Sequence, residues 1–134
     1  MSTPLSPHVT AFLADWPEEP MRRAFSELAD MVAGLPGVIC DFVARPGVSY
    51  SLRPRHQAQH DRALFAMIDV IDDQPRWLSV CFYEDMISDL EGLGDLVPGG
   101  LAGSDGYCFD LTAPDRLEYV RARLMEAFRA AGEK

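Results

Sequence analysis

His56 and His60 stand four residues apart. On a helix that spacing puts two imidazoles on one face, where a single metal ion can bridge both rings. The residues between them are Gln57, Ala58 and Gln59, so the glutamate base of a zinc hydrolase is missing. Arg53, Arg55 and Arg62 nearby repel a cation, so no metal is expected and the pair reads as two exposed loop histidines. His8, at the start of a short leading helix, reads as a surface residue. Asp41, Asp69 and Asp110 each interrupt an apolar run. A carboxylate entering a core is paired, raised in pKa or at an edge, and paired acids could do acid–base work. The plainer reading is charge placed at strand ends and sheet edges.

Nucleophile chemistry finds little support. No G-x-S-x-G elbow is present, and Ser104 in Gly-Ser-Asp-Gly has turn composition. Neither G-x-G-x-x-G nor a phosphate loop with its lysine fits the glycine-rich stretch from Gly92 to Gly106. Cys40, Cys81 and Cys108 each sit in an apolar run, which predicts buried free thiols rather than a disulfide framework and points to the cytoplasm.

The clearest chemical feature is charge. The chain carries 12 Lys and Arg against 21 Asp and Glu, a formal charge of −9. Such a surface repels phosphate backbones and anionic lipid, so neither nucleic acid nor membrane is expected as a partner. Between residues 45 and 62 the balance reverses: Arg45, Arg53, Arg55 and Arg62 face one acid, Asp61. His56 and His60 add charge below about pH 6.5. This segment is either a solvated loop or an anion site. In the second case Tyr50, Arg53, Arg55, His56 and Arg62 form the expected ligand-binding set. Tyr50 and Arg53 point to opposite faces of a regular strand, so a bend at Pro54 would be needed to bring them together. Tyr83 and Glu84, closing a later strand, are candidate neighbours across the sheet.

The elements that position these residues follow from spacing. At 134 residues the chain makes one domain with a core of its own, and 48% hydrophobic with 25% charged residues excludes disordered and fibrous classes. No apolar run reaches the roughly 18 residues of a membrane span, and the leading segment has no signal-peptide pattern. Ser6-Pro7 opens a short helix carrying Val9, Phe12, Leu13 and Trp16. Glu18-Glu19-Pro20 opens a second, with Met21, Ala24, Phe25, Leu28, Met31, Val32 and Leu35 at helical steps until Gly34, Pro36 and Gly37. Strands are predicted over 38–43, 48–53, 63–71, 77–83 and 107–111, with Pro46-Gly47 joining the first two as a hairpin and Pro54 ending the second. Residues 84–93 read as a short helix and 94–106 as a mobile loop. Thr112 caps a final helix with Leu117, Val120, Leu124, Phe128 and Ala131 inward. Consecutive strands without intervening helices predict an α+β fold, a five-stranded antiparallel sheet packed against N- and C-terminal helices.

The layout resembles the YdhG-like group of small α+β domains over roughly residues 20 to 131. The resemblance rests on Leu35-Pro36-Gly37-Val38, Val48-Ser49-Tyr50, the apolar strands 64–70 and 78–82, and the passage from 106–111 into the helix that begins Asp115-Arg116-Leu117. Tyr50 is followed here by Ser51-Leu52-Arg53, where the group often has a proline and an aromatic residue. The group has no agreed activity, so the resemblance implies the fold and carries no catalytic residue. The residues themselves lead to a binding or interaction domain without cofactor, for an anionic small molecule or an acidic protein. The alternative is a small hydrolase or transferase using His56, His60 or the strand carboxylates. A homodimer through the first helix or an open sheet edge is a further expectation.

Overall fold

The computed structural model describes residues 6–133. The first five residues of the leading segment and Lys134 lie outside them. Helix α1 runs Pro7–Ala14, and the Ser6 hydroxyl accepts from the Val9 N–H at 3.4 Å, as a serine before proline predicts. Helix α2 runs Pro20–Ala33 behind Glu19, whose carboxylate accepts from the Met21 N–H at 2.8 Å and the Trp16 indole N–H at 3.1 Å. One side chain thereby starts α2 and ties it to the end of α1. Gly37, at φ +77°, turns the chain into the sheet, and a Cβ there would meet the His56 ring at 3.2 Å.

The strands are β1 (Val38–Arg45), β2 (Ser49–His56), β3 (Met67–Ile71), β4 (Trp77–Phe82), β5 (Asp95–Leu101) and β6 (Ser104–Leu111), with α3 over Leu117–Gly132. They form one antiparallel sheet in the order β1-β2-β3-β4-β6-β5. The fold is α+β, as expected, with six strands in place of five.

The extra strand is β5, inside the glycine-rich stretch expected to be a mobile loop. Ala102 and Gly103, at φ 49° and 93°, make the two-residue turn whose twist suits a hairpin. Pro98 is tolerated because β5 is an edge strand. The helix expected over 84–93 shrinks to one turn, Glu84–Met86. Asp89 is the physical reason: its carboxylate takes the N–H groups of Leu93 (3.0 Å) and Gly94 (2.9 Å), offering the backbone an alternative to a helix. It also accepts from the Tyr107 and Tyr119 hydroxyls, both at 2.6 Å. Burial opposes its charge, but these four donors hold its pKa well below the usual carboxylate range.

Pro54 does not end β2. It pairs with Cys40, and its carbonyl, accepting from Phe65 N–H, points away from β1, so the N–H it lacks would not have met that strand. Thr112 does not cap α3, which begins after a one-turn helix at Pro114–Arg116 without a side-chain cap.

Alternation puts Leu52, Ile68, Val80, Phe82 and Phe109 under the three helices, where Phe25, Leu28 and Leu124 meet them fully buried. Each such side chain contributes about 1.5–3 kcal/mol of burial. The residues of opposite parity, Met67, Cys81 and Cys108, form a smaller core with Leu64 and Leu101 on the sheet's other face. Cys81 and Cys108 stand directly opposite each other in β4 and β6 and are joined as a disulfide, which corrects the expectation of three free thiols. Cross-strand register, invisible in their separation of 27 residues, brings them together. Cys40 alone is a free thiol among the described residues, its pKa pushed up to about 11 by burial and by Asp41. No helix among the described residues is long and apolar enough to cross a membrane.

Asp89→Ala is expected to cost about 2–4 kcal/mol in urea unfolding, because four donors to one charged acceptor lose their partner together. Tyr107, raised to about 12 chiefly by its bond to Asp89, should then titrate nearer 10 by ultraviolet absorbance. A loss below about 0.5 kcal/mol with Tyr107 unmoved would contradict this role for Asp89.

Candidate ligand cleft beside the first helix

Two of the four arginines of the basic segment, Arg55 and Arg62, are engaged by the protein's own acids. Arg55 pairs with Asp41 at 3.0 Å across the β1–β2 ladder. Arg62 grips Asp85 through two bonds, 2.8 and 3.1 Å, with its guanidinium 4.0 Å from the centre of the Tyr83 ring. The Asp85 bond is the main reason its pKa rises. A depression of about 600 Å³ adjoins Arg62, Leu64, Tyr83 and Ser104, with Asp61 and Asp105 among its walls. Its one cation is thus already clasped.

His56 ends β2, and its Nδ1 accepts the Ala58 N–H at 3.0 Å. The ring packs 5.4 Å from Phe128 and against the backbone at Gly37 and Gly132. His60 is exposed in the following loop. No helix joins them, so their spacing does not align them. Among the described residues no group of three or more His, Cys, Asp or Glu could hold a metal.

Tyr50 and Arg53 are not brought together. β2 stays regular through Pro54, so the two side chains take opposite faces. Arg53 donates to the Ser51 hydroxyl at 3.0 Å on the face away from the helices. Asp41, Asp69 and Asp110 share that face. Asp69 and Asp110 flank Ser79 in one cross-strand row, roughly 10 Å apart at two strand spacings, too far to share a proton. Asp69 is only 9% exposed, and its Oδ1 has no hydrogen-bond partner among the described residues. Burial raises its pKa, against the Ser51 hydrogen bond and the charges of Arg53 and Arg45.

Tyr50 leads to a different place. Its ring lies 4.3 Å from Phe12 of α1, and Phe12 also meets Phe42 of β1 at 5.7 Å and Trp16 at 5.6 Å. The Arg76 guanidinium stands 5.2, 5.0 and 5.3 Å from the Phe12, Trp16 and Tyr50 ring centres, within cation–π range. Its Nε donates to Asp72 Oδ1 at 3.0 Å. The other oxygen of Asp72 accepts from the Gly47 N–H at 2.9 Å and, more weakly, the Tyr50 hydroxyl at 3.4 Å. The Gly47 bond first, then Arg76, holds the Asp72 pKa down against burial, so the carboxylate stays charged.

Two hollows open on either side of Arg76. One, about 370 Å³, lies between α1 and the β1–β2 hairpin, walled by Phe12, Phe42, Ala44 and Tyr50 with His8 and Asp15 beside them. The second, about 340 Å³, adjoins Trp16, Pro17 and Pro75 with Glu19 and Asp73. Of the expected site residues Tyr50 alone lines this place. Sequence reasoning singles out neither Arg76 nor Asp72. Their four-residue spacing across Asp73-Gln74-Pro75 was the available signal, and only the fold puts aromatic rings over it. Compared with family models, curated proteins and solved structures, the chain matches none.

Asp69 yields a pH prediction. A folded-state pKa above the unfolded value means that the native protein holds the proton more tightly. Its contribution therefore weakens as pH rises from the ordinary carboxylate range through the raised value. Asp69→Asn should remove that decline and leave stability at pH 7 unchanged or higher, read from urea midpoints between pH 4 and 8. A loss above about 1 kcal/mol at pH 7 would show a partner for the charged form.

Proposed function

We propose that this chain is a binding domain for an anionic small molecule, received in the cleft between α1 and the β1–β2 hairpin. The observation that carries this reading is the state of Arg76. Among the described residues its guanidinium donates through Nε alone, to Asp72, while its Cζ lies within cation–π range of three rings and the side chain lines two hollows. Arg62, by contrast, gives both Nη groups to Asp85, and Arg55, which pairs with Asp41 through Nε as Arg76 does with Asp72, stands exposed on the opposite face of the sheet. A concave, mostly apolar site with a few convergent polar groups is the usual form of a small-molecule pocket. The proposal keeps Tyr50 and the anionic ligand class expected from the sequence, and gives the charge-pairing role to Arg76.

The test is a ¹H–¹⁵N titration with sodium acetate. Shifts are expected around Phe12, Tyr50 and Arg76. Arg76→Gln should abolish them, with folding checked by the Phe12 and Tyr50 ring resonances, while the Arg53→Ala/Arg55→Ala double variant retains them. Binding kept by Arg76→Gln and lost in the double variant would move the site to the basic segment and overturn the assignment.

A further inference from the structure

We infer that the ligand is a monocarboxylate on a planar, apolar body, an aromatic acid in the simplest case. This rests on reading the α1 cleft as the ligand site, and it adds the ligand's chemistry.

The walls set the body. Phe12, Phe42 and Tyr50 present ring surface and Ala44 a methyl group, with no neutral amide among the side chains to direct a sugar or a peptide. Phe12 already takes tilted and edge-on neighbours in Phe42 and Phe25, the arrangements in which a further ring packs favourably. A volume of about 370 Å³ is near the lower end for ligand pockets, so a single ring system suits it better than a nucleotide.

Arg76 sets the head group. With Nε held by Asp72, the two Nη groups remain as a planar pair of donors. A planar pair matches the two oxygens of a carboxylate. The surroundings set the charge. Asp15 stands at this cleft and Glu19 and Asp73 at the neighbouring one, within a chain of net charge −9. Asp72 already pairs with Arg76, so a single negative charge spread over the two Nη groups adds least to the local repulsion, and a phosphate dianion adds more.

The experiment compares benzoate, benzamide, acetate and inorganic phosphate by chemical-shift titration on the intact chain at one ionic strength. Benzoate is expected to bind at least about tenfold more tightly than each of the others, as ring burial and charge pairing act together. Ala44→Phe, at an exposed strand position on the cleft wall, should fill the hollow and weaken benzoate at least about tenfold with the melting temperature held. Phosphate or acetate equal to benzoate at Arg76 would overturn the ligand class and leave the cleft reading standing. Benzamide equal to benzoate would overturn the carboxylate requirement. No response to any of the four would overturn both.

Discussion

A guanidinium enclosed by aromatic rings must keep a counter-ion, and the end of the sheet beside α1 is arranged around that requirement. Arg76 lies against Phe12, Trp16 and Tyr50, and Asp72 supplies the charge. Asp72 can do so only because Gly47 holds its second oxygen and its own N–H donates to the Val48 carbonyl at 3.1 Å. The β1–β2 turn, the β3–β4 turn and α1 therefore meet at one ion pair. That pair is partly shielded, with side-chain exposures of 23% and 17%, so water screens it less than an open surface bridge. Removing the arginine would leave a fixed carboxylate without its main cation. Removing the carboxylate would leave a cation among rings.

The same rule of local compensation runs through the rest of the molecule. An acidic chain with a basic segment could have shown a cationic rim, but Arg55 and Arg62 are met by Asp41 and Asp85. Asp89 collects four donors and organises the segment that leads into β5. Asp69 departs from the rule: burial without a full set of partners makes it a charge the fold tolerates rather than uses.

How far these features could be read in advance depended on the range of the forces behind them. Ser6-Pro7 and the α2 stripe from Met21 to Val32 declare themselves locally, through a cap and a period, and both stand as expected. The antiparallel sheet followed from strands without intervening helices. Features set by register were hidden. Cys81 and Cys108 read as separate thiols because nothing local says that β4 and β6 are neighbours. β5 reads as a loop because its glycines and Pro98 suit a turn as well as an edge strand. At the cleft, Tyr50 was legible as an aromatic at a strand position. Its partners came from α1 and the β3–β4 turn, 38 residues before it and 26 after, so Arg76 had no local signature.

Ligand binding in this cleft requires the Nη groups of Arg76 to be open. Arginine side-chain NMR of the intact chain, with and without benzoate, addresses this directly through rotation about the Cζ–Nε bond. Slowed rotation at Arg76, with Arg45 and Arg53 unaffected, is the predicted result. Unchanged Arg76 signals while Arg45 or Arg53 respond would contradict it.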